Sequence, residues 1–247
     1  VDGRLRRASR DGVVGQAAGV SEDYGDLAEG LLALHQATGD PQWLAAAGSL
    51  LDTAIEIFVD PTVGEGIFHD TPHDGETLVA RPHSSADNAE PSGQSALAAA
   101  LLGFGAASGS ARHLALADAA LDAAGTTASR EPRFAGWALA AAEARLAGPL
   151  QVAIVGSGAA AASLAAVARA SSSPGLVLAV GMPDAPGIPL LAGRPLVGGQ
   201  AAAYVCRGFV CDRPVTTPAE LAAALGTAPA GRPASPGKDP GATPAAR

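Results

Sequence analysis

Residues 87–95 read Asp-Asn-Ala-Glu-Pro-Ser-Gly-Gln-Ser and lie between a polar loop and an alanine-rich helical stretch. An acid, an amide, two hydroxyls and the free N–H groups of a helix start fall within one short segment. Such a cluster suits the hydroxyls of a polar small molecule or the backbone of another loop. The same residue types are also common helix caps, so Asp87, Asn88 and Ser92 have a purely architectural reading beside the chemical one. Upstream, His69, Asp70, His73, Asp74 and His83 share one loop with Arg81. Imidazole and carboxylate suit zinc, but the spacing matches no compact helix-borne motif, and no metal is expected. A single histidine base titrating near neutral pH is the better reading of the loop, with His69 as the choice.

These side chains need elements to hold them. Ser21 opens a first helix with Glu22 and Asp23 in its positive first turn, and Gly39 ends it. Leu27, Leu31 and Leu34 recur at helical spacing as its core stripe. Asp40-Pro41 opens a second helix, a cap residue followed by proline at the first helical position. Its stripe is Leu44, Ala47, Leu51, Ala54 and Phe58. Residues 60–90 hold no helical period. Ile67-Phe68 and Leu78-Val79 are expected as two short strands across His73-Asp74-Gly75. A loop this long inside a compact domain is usually functional or disordered, and its Phe68, His69, Asp70 and Arg81 favour function. A third helix runs from about Pro91 to Ser108, with Leu97, Leu101 and Phe104 inward. A fourth follows Ser110, and a fifth opens near Pro132 with Phe134, Trp137, Ala141 and Ala144 inward. Consecutive helices with short links are antiparallel hairpins.

After Pro149 the pattern changes. Val152–Val155, 176–180 and 203–206 read as strands, with helices over 159–170 and 217–225. From Thr227 onward Pro, Gly, Ala and Ser dominate, which reads as disorder. The domains expected are an N-terminal loop or truncated edge over 1–20, a helical-hairpin domain over 21–148, an α/β appendage over 149–226 and a tail over 227–247.

The bulk numbers exclude several function classes. The net charge of -8 argues against a nucleic-acid surface, which needs clustered positive charge. The sole lysine is Lys238, in the tail, which removes Schiff-base, Ser–Lys and Walker-type phosphate-loop chemistry. Aromatics are only 4% while alanine supplies much of the apolar content, which favours closely packed helices. The uncharged run 149–168 has the length of a membrane span. It is mostly Ala, Gly and Ser, so no membrane is expected. Early charges at Asp2, Arg4, Arg6 and Arg7 do not read as a signal peptide. A cytoplasmic location is therefore expected. Position 1 is Val rather than Met, so the chain also reads as part of a longer protein.

Several runs together resemble one family. Glu22-Asp23-Tyr24, Gly30-Leu31-Leu32-Ala33-Leu34, Thr38-Gly39-Asp40 and Trp43-Leu44 begin the resemblance. It continues through Gly66-Ile67-Phe68-His69-Asp70-Thr71, Arg81-Pro82, Asp87-Asn88-Ala89 and Pro91-Ser92-Gly93-Gln94-Ser95. It ends at Tyr204-Val205-Cys206, Cys211 and Pro214-Val215-Thr216. In this order, over about 21–225, the chain resembles the C-terminal region of thioredoxin-domain-containing proteins of the spermatogenesis-associated type. The resemblance implies a mainly α fold. Helical hairpins would form a partial (α/α)6 toroid of the six-hairpin glycosidase and epimerase kind, with a small C-terminal α/β appendage. Only about two and a half hairpins are present. The thioredoxin-like domain that family members carry ahead of the toroid is missing from this chain and is an implied packing partner.

The resemblance also implies a cavity at the starts of the inner helices and a small sugar as ligand. Carried over by position, the candidate binding residues are Asp23, Tyr24, Arg81, Asn88, Ser92 and Ser95. Asp70 and Asp87 are the candidate acid and base, with His69 as a base for epimerisation. Arg81 could instead clamp Asp87 or Asp70. The competing reading is a non-catalytic scaffold that packs against the thioredoxin part or a partner.

Two further motifs remain. Val-Ala-Ile-Val-Gly-Ser-Gly-Ala-Ala-Ala over 152–161 fits a strand, a Gly-x-Gly-x-x-Ala turn and a helix, the outline of a dinucleotide fingerprint. No acid follows at the end of the next strand, so no cofactor is expected. Cys206 and Cys211 flank Arg207-Gly208-Phe209-Val210. A packing or turn role is the reading favoured; Arg207 and Gly208 leave a reactive thiolate or a local disulfide open.

Overall fold

The computed structural model describes residues 3–60 and 62–226. The tail expected to be disordered lies outside the described residues. The observed class is mainly α. A short hairpin comes first, β1 (Ser9–Arg10) and β2 (Val13–Val14), turned at Asp11-Gly12 with both residues at positive φ. That is the two-residue turn whose twist suits a hairpin.

Helices α1 (Ser21–Thr38) and α2 (Pro41–Phe58) follow. Gly39 closes α1 in the left-handed region at φ 73°. The Asp40 carboxylate accepts from the Gln42 N–H at 2.9 Å and so opens α2. The expected α2 stripe is wholly buried. The α1 stripe is not as expected. Tyr24, Ala28, Leu32 and His35 are buried, while Leu27 and Leu34 are each 43% exposed. The inward face is therefore rotated from the leucine face, because α1 docks through small residues and an aromatic ring.

The expected strands in the long loop shrink to a single antiparallel bridge, Val59 to Phe68. Val79 is fully exposed and lies in no strand. Helix α3 (Gly93–Ser108) is buried on nearly every face and packs against α1, α4 (Ala111–Arg130) and α5 (Gly136–Ala147). Pro132 opens only a 3₁₀ turn to Phe134, and α5 begins after it. On α5 the buried residues are Ala138, Ala141 and Ala144, whereas Trp137 and Phe134 are 43% and 37% exposed.

Close approach of α1 and α3 depends on glycine. A Cβ at Gly25 would sit 2.8 Å from both the Ala96 carbonyl carbon and the Leu97 nitrogen. Those are backbone atoms and cannot swing aside. Gly25→Ala is expected to cost about 2 kcal/mol by forcing the helices apart, read as a lowered urea midpoint at unchanged slope.

The α/β part has β3 (Leu150–Val155), α6 (Gly158–Arg169), β4 (Val177–Gly181), β5 (Ala202–Arg207), β6 (Val210–Cys211) and α7 (Pro218–Ala224). Its sheet order is β4-β3-β5-β6, parallel between β3 and β4 and antiparallel elsewhere. Alternation along β3 serves two cores. Leu150, Val152 and Ile154 face α6 and α7, while Ala153 and Val155 face Ala106 of α3 and the 3₁₀ turn Pro189–Leu191. Gln151 seals the junction, donating from Nε2 to the Ala106 carbonyl at 2.7 Å. Gln36 of α1 accepts from the Leu178 N–H at 2.9 Å, so β4 rests on the end of α1. Among the described residues no helix is long and apolar enough to cross a membrane.

Candidate functional site

Three helix starts meet at one end of the helical unit. The Ser21 N–H of α1 donates to the Asp70 carbonyl at 3.0 Å. A Cβ on Gly93 would overlap Ser21, so α3 begins against α1. Asp87 ties α3 to α5. Its Oδ1 accepts from the Ser92 N–H at 3.0 Å and from the Ser92 hydroxyl at 3.2 Å. Its Oδ2 accepts from the Trp137 N–H at 2.8 Å, a free donor in the first turn of α5. The Asp87 side chain thus caps a helix fifty positions further along the chain. Ser92 caps α3, and its hydroxyl lies 3.0 Å from that of Ser95.

The other candidates have separate settings. Asp70 Oδ1 accepts from the Ser84 N–H at 2.9 Å and pins the long loop. No hydrogen bond joins Asp70 to Asp87. Asp23 accepts from the Val20 N–H at 2.8 Å and pairs with Arg7 at 3.2 Å. Tyr24 is a core residue: its ring meets Phe58 edge-on at 5.1 Å, and its hydroxyl accepts from the Leu5 N–H at 3.0 Å. Arg81 donates to the Thr71 carbonyl at 2.7 Å and clamps neither carboxylate. Asn88 is exposed. His69 is buried with neither ring nitrogen hydrogen-bonded, its ring centre 6.3 Å from that of His83. Gln94 was legible only as part of the run, yet it holds the loop to the helices. It accepts from the Phe68 N–H at 3.0 Å and donates to the carbonyls of Gly66 at 2.7 Å and Ala120 at 2.9 Å.

A second feature was not foreseen. A groove of about 290 Å³ runs along the helical unit. Ala99, Leu102, Gly103 and Ala107 of α3 line it, α1 and α5 flank it, and Gly175, Leu176 and Val177 contribute at one end. Glu29 of α1 and Trp137 of α5 both line it. Burial, then the neighbouring Asp26 charge, pushes the Glu29 carboxyl up to about 7, and the Trp137 indole N–H offsets this only in part. Asp26 is raised too, by burial and by Glu22, Glu90 and Asp23. Glu22, Asp26 and Glu29 stand four and three residues apart, a ladder of carboxyls along one helix face. That spacing was the available signal, but a glutamate among alanines and leucines reads as an ordinary solvent face.

Among the described residues no three His, Cys, Asp or Glu side chains gather as a metal would require. The β3–α6–β4 segment is one βαβ unit, and β5 then pairs antiparallel with β3 instead of extending a second one. Asp184, the first acid beyond β4, accepts from the Gly193 N–H at 2.7 Å. Cys206 and Cys211 are joined as a disulfide across β5 and β6. Arg207 does not attend it but donates to the Gly148 carbonyl at 3.1 Å.

No protein-family model matches the chain. Over 107 residues, 40% of the chain, it is 38% identical to Spermatogenesis-associated protein 20 of Mus musculus. That stretch spans 13% of the mouse protein, so the chain is similar to a small part of this relative.

Proposed function

We propose that this chain is the carbohydrate-related C-terminal part of a thioredoxin-domain-containing protein. Its helical unit forms part of a six-hairpin toroid, and the groove beside Glu29 is the sugar-facing surface. The observation that carries the reading is Glu29 itself, a carboxyl pushed up to about 7 in a groove that it shares with an exposed indole. A carboxyl that keeps its proton near neutral pH can donate it to a glycosidic or ring oxygen. The indole face offers a platform for the apolar face of a sugar ring. Asp26, one turn earlier, is the second carboxyl, and Gln36 supplies an amide to hydroxyls. In this reading Asp70 and Asp87 position the helix starts, and His69 and Asn88 lie at the same end.

One observation favours a second reading. Most of the groove is lined by Leu and Ala, and Leu27 and Leu34 stand exposed on another face of α1. A scaffold that packs against a thioredoxin-like domain would use such a surface.

Thermal melts with a panel of mono- and disaccharides separate the two. A ligand that binds only the folded chain raises the melting temperature by mass action. A shift given by one sugar, not by its epimer, and lost in Glu29→Gln is the expected result. A cooperative melt that no sugar moves leaves the scaffold reading standing.

A further inference from the structure

The Cys206–Cys211 disulfide has an unusual neighbour. Register places the two cysteines opposite each other on β5 and β6. Cys206 is buried at 2% exposure, while Cys211 is partly exposed. Arg194, itself 6% exposed, reaches both sulfurs from the segment after the 3₁₀ turn. Its Nη2 lies 3.1 Å from Cys211 Sγ and 3.7 Å from Cys206 Sγ. Nη1 donates to the Ala192 carbonyl at 2.8 Å, and Nε has no partner. No carboxylate forms an ion pair with Arg194 among the described residues. A buried cation without a counter-charge is costly, and a neutral disulfide supplies none. A thiolate at either sulfur would.

We infer that Cys206 and Cys211 form a thiol–disulfide exchange site for an external dithiol, with the buried Arg194 guanidinium as counter-ion of the thiolate that reduction releases. The thiolate of the dithiol attacks the accessible Cys211 Sγ. The Cys206–Cys211 bond breaks, and its electron pair leaves on Cys206 Sγ within reach of Arg194. The second thiol of the dithiol gives up its proton and closes onto the first, releasing Cys211. The dithiol is oxidised to a disulfide and the cysteine pair gains two electrons. One proton ends on Cys206 and one in solvent, which leaves the Cys211 thiolate, the sulfur nearer Arg194, beside the guanidinium.

The hairpin does not need the bond to keep its shape. Gly208 and Phe209, both at positive φ, form its two-residue turn, and the Phe209 N–H donates to Gln151 Oε1 at 2.7 Å. Reduction therefore leaves Arg194 and both sulfurs in place.

The test isolates Cys211 in Cys206→Ser and follows its alkylation by iodoacetamide against pH, with and without Arg194→Met or Arg194→Lys. The rate reports the thiolate, which for a free cysteine forms with a pKa of about 8.5. The expected midpoint is at least about one unit lower, roughly tenfold more thiolate at pH 7. Arg194→Met is expected to abolish that gain and Arg194→Lys to retain most of it. In the unaltered chain, dithiothreitol is expected to reduce the pair with the circular dichroism unchanged. A midpoint at or above that of free cysteine overturns the inference, as does a lowered midpoint that a folded Arg194→Met leaves unmoved. If Arg194→Met does not fold, the Arg194-bearing midpoint decides alone.

Discussion

Asp87→Ala is expected to destabilise the chain by about 3–4 kcal/mol, with a fall in melting temperature of roughly 10 °C. The buried carboxylate accepts from Ser92 through one oxygen and from the first turn of α5 through the other. Alanine leaves the N–H groups of Ser92 and Trp137 without an acceptor in a place that water reaches poorly. Each such orphan costs about 1–3 kcal/mol. Asp87→Asn keeps one acceptor but turns an NH₂ donor toward N–H donors on the other side, and its cost is expected to be about half as large. Hydrogen exchange supplies the local readout. The amides of Trp137 and Ala138 are expected to lose protection first in both variants, ahead of the α2 core. Equal loss across all helices would contradict the cap assigned to Asp87.

Glu29→Gln is expected to change how stability depends on pH. In the unfolded chain the carboxyl releases its proton near 4.5, and in the folded chain near 7. Between those values the folded state holds a proton that the unfolded state has lost, so stability falls as pH rises. The contribution of Glu29 is fully present below about 4.5 and gone above about 7. The shift corresponds to at most about 3 kcal/mol. A glutamine amide at this position has no proton to lose. The variant is therefore expected to match the parent near pH 4 and to exceed it by roughly 1–3 kcal/mol at pH 8. Urea titrations at the two pH values check this. A constant difference between the proteins would show that the groove does not hold Glu29 protonated.

The helix ends were legible because their signals are local. Gly39, Asp40-Pro41 and Ser110 act on the backbone within a few residues, and α1, α2 and α4 begin and end beside them. The α/β segment was legible from its β-branched runs. Helix faces were harder to read. In an alanine-rich helix the apolar contrast is weak, so the α1 leucines looked like the core although Tyr24, Ala28 and Leu32 carry it. Trp137 misled for the same reason, since aromatic rings are ordinarily buried and this one lines a groove. The Asp11-Gly12 turn was a local signal that went unused. Asp87 was picked out as chemically interesting, but nothing near it in the chain names Trp137 as its partner. Arg194 had no sequence signal at all. It meets the cysteines only because β5 and β6 bring them back beside the end of the 3₁₀ turn, whereas the adjacent Arg207 points away.

The strand order has a consequence for the chain as it is being made. Helices α1 to α4 pair with partners already synthesised or next in line, so each hairpin can close as it emerges from the ribosome. The sheet cannot. Strand β3 sits between β4 and β5, and its residues 150–155 pair with residues 202–207. About fifty residues must be translated while β3 waits with one edge unpaired. At ordinary elongation rates that interval lasts seconds, longer than helix pairing needs. The helical surface around Ala106 and Gln36 can thus form before β5 is made, and it offers β3 and β4 a template through the contacts of Gln151 and Leu178.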